Sequence, residues 1–536
     1  MQQEQDYSFS GDVDIEKSIT VKQGAILKVE DNAQAGYILT SDANGVATWQ
    51  QQTPSASGWS LTGNSGTNPA TNFLGTIDNI PFYIRVFNFL SGLISSAGAT
   101  LFGYKAGLSN TANTTTAIGF EALTANQNGL SNTAVGHSAL KSNVSSNQNT
   151  AVGFSALENS NANDNTAVGF NSLRANVSGF RNTSVGSGSL TFNTSGGNNT
   201  AVGYNSLLAN TVGAANTAVG SAALDANTTG NSNTAIGTNA LGANTTGSNN
   251  TSVGSASLSQ NTTGSSNTSI GVNSMLSNVS GGGNTAVGTF SLRDNTIGNN
   301  NTAVGVTALQ FNLSQNNTAV GHSALQNNTA GQNNVSVGYQ SLLANTTGAG
   351  NVAIGEGSLA SNTTANNNAA IGKNAMPSNT TGAQNVAVST LSLQLNTTGS
   401  NNIGIGYASL GLNLTGNGNI GIGTNAMQTN VSGDGNIAIG YQADVSTNST
   451  TNAIALGVNA VAATNEFAIP STITDVNFGT ADIQAGSVSC SPTISSGVVA
   501  PSSTPSKVGD IYIDTVALKL YFAAGTASSA DWIIAN

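Results

Sequence analysis

The side chains able to do chemistry are few in this chain: two histidines, His137 and His322, one cysteine, Cys490, and 12 basic and 23 acidic residues among 536. Cleaving a polysaccharide would need paired carboxylates roughly 5–10 Å apart. The nearest grouping is Glu121, Glu158 and Asp164, and Lys141 and Arg174 lie among them. That mixture predicts exposed ion pairs, not a general acid with its base, so no catalytic residue and no enzyme activity is expected. The histidines occupy the same place in a repeat but stand eleven repeats apart. At one strand spacing per repeat that is about 50 Å, too far to share a metal ion. One cysteine excludes an intramolecular disulfide and a thiolate cage. Neither Gly-Gly-x-Gly-x-Asp calcium repeats nor a phosphate loop occurs, so neither metal nor cofactor is expected.

Charge narrows the partners. Only 7% of residues are charged and the net charge is −11, most of it outside residues 103–457. An acidic chain repels phosphate backbones and anionic lipid, so nucleic acid is not an expected partner. The most apolar stretch, 80–94, contains Arg85 and is shorter than the roughly 20 residues a spanning helix requires. Met1-Gln2-Gln3-Glu4-Gln5-Asp6 is not the basic start of a secretory leader, and membrane insertion is not expected.

What must position these residues is a repeat. Taking the Gly of Asn-Thr-Ala-Val-Gly as position zero, it recurs from Gly103 to Gly457 in 22 units, with Ser389 replacing it once. Eighteen intervals are of 17 residues and three of 16. Such constancy predicts a solenoid with one coil per unit, and Gly, Asn, Thr and β-branched residues make the coils strands and turns. Position −1 holds Val, Ile or Leu from Ile118 to Leu456, and position +4 holds Leu or Met from Leu123 to Met427. Both are expected core columns. Position −3 is Thr from Thr133 to Thr318 and then mostly Val or Ile, which predicts a sheltered face shared with −1. Positions −2 and +3 admit only Ala, Ser or Gly in these coils. Something packs closely on them, either within a thin coil or, as the preferred reading, across a subunit interface.

Asn fills −4 and +7 in nearly every coil, which predicts corner residues with left-handed backbone and coil-to-coil amide ladders. Many +7 residues begin Asn-x-Ser/Thr, as at Asn143 and Asn227, and these read as turn sequences, not glycosylation sites. At +5, Lys141, Glu158 and Arg174 predict an exposed ladder of alternating sign. The +1 column, which holds both histidines together with Phe120, Phe154, Tyr204 and Tyr339, reads as surface stacking.

The units Asn-Thr-Ala-Val-Gly (132–136, 301–305) and Asn-Ile-Ala-Ile-Gly (436–440) resemble the head repeats of trimeric autotransporter adhesins. That resemblance implies a parallel β-roll that trimerises. It extends over 103–457, with a 17-residue unit longer than that family's, and with neither its signal peptide, coiled-coil stalk nor membrane barrel in evidence. The segments 35–50 and 59–86 and the ending Gly509-Asp510-Ile511-Tyr512-Ile513-Asp514 resemble modules of phage and other viral fibre proteins. The resemblance implies a virion fibre, one end on the particle and the other on the host. The expected fold is all-β: a parallel β-solenoid or β-roll of about 22 coils, homotrimeric, with small β-rich terminal domains. Its parts are a β-rich attachment region (1–56), a capping domain (57–102), the shaft (103–457) and a C-terminal cap or tip domain (458–536). The expected function is host-surface attachment by a tail or capsid fibre on the virion or otherwise extracellular, with a bacterial extracellular adhesin or surface-filament subunit as the alternative. Expected partners are two further copies of the chain, an attachment protein at one end, and a host glycan or protein at the other. Tyr512, Tyr521, Phe522 and Trp532 are the candidate receptor contacts, since exposed aromatics suit a sugar face.

Overall fold

The computed structural model describes residues 37–41, 47–51, 74–470, 472–473, 511–514, 519–523 and 532–535. The chain divides into two units, Met1–Ala468 and Ile469–Asn536. Every regular element among the described residues is a β-strand. Strands β1 (Tyr37–Ser41) and β2 (Ala47–Gln51) pair as an antiparallel hairpin. In the second unit, Ile511–Asp514, Lys519–Ala523 and Trp532–Ala535 form a three-stranded antiparallel sheet.

The solenoid begins with a meander. Strand β3 (Phe82–Val86) pairs antiparallel with β4 (Phe89–Ile94), and β4 with β5 (Thr100–Phe102). The opposite edge of β5 then pairs in parallel with Thr116–Ile118, the second coil. From there each coil adds one three-residue strand in unshifted register, as in Thr200↔Thr217 and Val202↔Val219, up to Ile454–Leu456. A last short strand, Phe467–Ala468, extends the ladder by one more rung. This is a parallel β-solenoid of about 22 turns. Zero shift means that every column stacks on itself, which is why each position admits so narrow a set of residues.

Which side of the strand faces inward differs from the sequence expectation by one residue. Ala at −2 (Ala134, Ala201, Ala303), Ala or Ser at +3 (Ala139, Ser206, Ala308) and Leu or Met at +4 (Leu140, Met275, Leu309) have no solvent exposure. The Val and Ile of −1 instead point outward, with Val185, Ile236 and Ile405 at 36%, 41% and 39% exposure. Their −3 neighbours lie on the same outer face, Thr234 and Ile403 half-buried and Thr183 exposed. Alternation allows a three-residue strand a single inward side chain. That side chain meets the Leu column across a very thin interior. At Gly404 even an added Cβ would lie 3.3 Å from the Leu393 Cγ and closer still to the Ser392 hydroxyl. The small columns are therefore the inside of the coil and not a subunit interface, and −1 is not a core column.

Two further columns follow from backbone geometry. The zero-position glycines adopt φ near +135°, and a Cβ on Gly220 would sit 2.5 Å from the Gly237 carbonyl oxygen of the next coil. At +4, Leu140, Leu241 and Leu309 have φ of 50°, 53° and 51°. A left-handed residue that fills a core position cannot be β-branched without strain, so from Leu123 to Met427 the column holds Leu or Met and never Val or Ile. The remaining left-handed positions are +2 and −5, as at Asn205 and Asn198, and not the −4 and +7 asparagines expected at the corners.

Candidate functional surface

The asparagines of −4 and +7 are buried inside the coil stack. In the +7 file each side-chain amide donates to the carboxamide oxygen of the preceding coil: Asn227 to Asn210 and Asn244 to Asn227, both at 2.8 Å. The second amide hydrogen closes its own turn, as in Asn227 to the Gly230 carbonyl at 3.1 Å. In the −4 file the oxygen of Asn216 accepts the backbone N–H of Asn233 at 3.0 Å, and the Asn233 amide reaches the Gly247 carbonyl at 2.9 Å. These are the expected coil-to-coil ladders. They consume the nitrogen that a glycan would need, so the Asn-x-Ser/Thr sequences are structural turns.

The 16-residue coils disturb these files. In the coil that starts at Gly153, Ser160 replaces the +7 asparagine and one residue fewer separates it from Asn165. Asn143 Oδ1 and Asn149 Nδ2, facing that coil, are buried without partners.

Of the grouped carboxylates, Glu121 is held by a lysine. Lys141 Nζ is 2.7 Å from Glu121, an ion pair between neighbouring coils at +2 and +5. The lysine ammonium holds the Glu121 carboxyl below its usual range, while Glu121 raises Lys141. No ion pair joins Glu158 or Arg174 among the described residues, so the expected +5 charge ladder is replaced by this cross-column contact. Lys373 and Glu356, both at +1, pair at 3.0 Å in the same coil-to-coil manner. Asp225 stands apart, a half-buried carboxyl pushed up by desolvation against the opposing hydrogen bonds of its own and the Ala226 backbone N–H.

The +1 column forms a continuous stack of rings. Tyr104, Phe120, His137, Phe154 and Phe170 follow one another at centroid separations of 5.6, 4.9, 5.0 and 5.4 Å, with Phe89 edge-on against Tyr104. His322 stacks on Tyr339 in the same way at 5.5 Å. Rings so stacked cover one another's faces and present their edges to solvent. Both histidines are therefore packing elements of a surface ladder. Among the described residues no three His, Cys, Asp or Glu side chains cluster as a metal site would require.

What the coils do present is apolar surface. The −1 column exposes Val or Ile along the strand face, with Val219, Val304, Ile371 and Ile405 between 36% and 41% exposed. Around the glycine corner the +1 column adds Phe154, Tyr204, Val272 and Tyr407 at 47–61%. Sequence reading placed the first of these files in the core. The signal that could have located it outside was the neighbouring −2 column, whose restriction to tiny residues marks the interior of a thin coil.

Of the candidate receptor contacts, Tyr512 is the register partner of Tyr521, Phe522 of Ile533, and Trp532 of Ala523. The exposure of these side chains lies outside the described residues, as does Cys490. No helix among the described residues is long and apolar enough to cross a membrane. No family model, curated protein or solved structure matches this chain.

Proposed function

We propose that the chain is the subunit of a trimeric adhesive fibre, carried on a virion, whose solenoid is the shaft and whose ends bind the particle and the host surface. The observation that carries this reading is the exposed aliphatic stripe. Two files, −1 and −3, run the length of a ladder about 100 Å long. The stripe covers on the order of 1,000 Å², above the few hundred that a monomer ordinarily leaves to water. From Val335 onward the −3 file is aliphatic as well, apart from Ala369, so the stripe is most apolar in the C-terminal third. The strand face and the +1 file meet at the glycine corner as two different surfaces. Surfaces of different composition suit a head-to-tail contact that closes as a ring, in agreement with the trimer that the adhesin-head resemblance implies.

The virion assignment rests on the resemblance of 35–50, 59–86 and 509–514 to viral fibre modules. The pentapeptide units favour the alternative, a bacterial surface adhesin, and immunogold labelling of purified particles against cell envelopes separates the two. The first test is mass in solution with negative-stain imaging. Three chains in a rod of about 100 Å or longer is the expected result, and a 53.3 kDa monomer would exclude the fibre.

A further inference from the structure

The turns after the +7 asparagine share a hydrogen-bond device. Two or three successive backbone N–H groups converge on one carbonyl of the next coil: Thr346, Thr347 and Gly348 donate to the Thr363 oxygen at 2.9, 3.1 and 3.4 Å. Thr329, Ala330 and Gly331 do the same to Thr346. Where a 16-residue coil follows, its shorter turn withdraws the carbonyl. Two turns within the stack meet this situation, and they resolve it differently.

At the first, the coil beginning at Gly153, a side chain supplies an acceptor for one of the amides. Asn161 Oδ1 lies 3.4 Å from the Val144 N–H and accepts the Ser146 hydroxyl at 3.1 Å. At the second, the coil beginning at Gly305, the corresponding residue is Leu313, which has no acceptor. Thr296, Ile297 and Gly298 there donate to no backbone carbonyl among the described residues, and neither do Leu313 and Ser314 in the short turn itself. Ile297, Gly298, Leu313 and Ser314 of these turns line a surface notch of about 520 Å³, together with Ala330, Gln315 and Gln332. Ile297 and Leu313 are 62% and 46% exposed. No lining residue is charged.

We propose that this notch binds the acetamido group of an N-acetylhexosamine. The unfilled amides take the acetamide carbonyl oxygen, as the Val144 N–H takes the carboxamide oxygen of Asn161 in the earlier turn. The methyl group and sugar ring lie on Ile297 and Leu313, and Gln315 and Gln332, which also line the notch, offer amides to ring hydroxyls. Neutral lining selects a neutral acceptor over a carboxylate sugar, because an anion would lose hydration with no cation to replace it. The notch lies on a turn and not on the aliphatic strand face, so trimer formation leaves it open and supplies three copies. This deepens the host-attachment reading and rests on it for its biological ligand, but the binding itself needs only a folded coil stack.

The test is saturation-transfer NMR on the full chain with N-acetylglucosamine, glucose as the control lacking the acetamide, and two variants. Leu313→Asn supplies the side-chain oxygen that Asn161 supplies in the earlier turn, and Ala330→Gln fills the notch from its rim. The expected result is transfer to N-acetylglucosamine well above glucose, reduced at least tenfold in both variants. Equal transfer to both sugars, none to either, or transfer retained in both variants would overturn the proposal. A chain that is monomeric in solution yet binds N-acetylglucosamine would refute the fibre and leave the site standing, whereas a trimeric rod that does not bind would do the reverse.

Discussion

Asn143 and Asn149 show how much the interior depends on single rungs. In the +7 file the carboxamide oxygen takes its donor from the next coil, and the Ser160 hydroxyl is too short to reach back to Asn143. Asn176 still reaches Ser160 Oγ, at 3.3 Å, so the file is broken on one side only. A buried acceptor without a donor costs about 1–3 kcal/mol. The other short coils keep asparagine at this place, Asn110 and Asn312, which shows that the shorter turn accommodates it. Ser160→Asn is therefore expected to stabilise the shaft by about 1 kcal/mol, read as a raised midpoint in chemical denaturation. An unchanged or lowered midpoint would mean that the Asn143 oxygen finds another donor.

At the scale of the element, a coil is one three-residue strand, a glycine corner, a left-handed leucine and a turn held by asparagine. The strand alone is too short to be stable, and its register comes from columns that accept only their own residue types. The +4 leucine tests this. Leu241 is fully buried at a φ of 53°. Leu241→Ile keeps volume and hydrophobicity but puts a β-branched side chain in left-handed backbone, with an expected loss of about 1–3 kcal/mol. Val219→Ile, on the outer face of the strand, should change the stability of the isolated coil stack by less than about 0.5 kcal/mol. Equal effects in a thermal or denaturant melt would refute the assignment of inside and outside. The same geometry explains why the sequence pattern alone points one residue out of phase. Two files of β-branched residues flanking alanine look like a buried strand face, and only the thinness of the interior shows that alanine is the inward residue.

For the molecule as a whole, the consequence is that the β-branched files are available to other copies. If they form the trimer interface, a charge introduced there separates chains without unfolding coils. Ile405→Lys, in the most apolar third, is expected to move the protein from three chains toward one in sedimentation while its β-rich circular dichroism is unchanged. A variant that unfolds, or that stays fully trimeric, would place the interface elsewhere. The C-terminal third should also resist dissociation longest, because both of its outer files are aliphatic whereas Thr occupies −3 from Thr116 to Thr318.

The spacing of glycines by itself determined the solenoid, its number of coils and its parallel in-register stacking, because a period of 16–17 residues with fixed columns has no other compact solution. It also determined the asparagine ladders, since a polar residue repeated at every coil can be buried only by bonding to its own copies. Which face of the strand turned outward was decided by tertiary structure alone, through the width of the coil interior. The same holds for the partner of Lys141, which depends on how the +2 and +5 columns meet across a corner. The unfilled amides at Thr296, Ile297 and Gly298 were likewise invisible in sequence. A one-residue deletion is legible as a gap in the period, but whether the next coil's side chain supplies an acceptor, as Asn161 does and Leu313 cannot, is settled only by where the shortened turn lies in space.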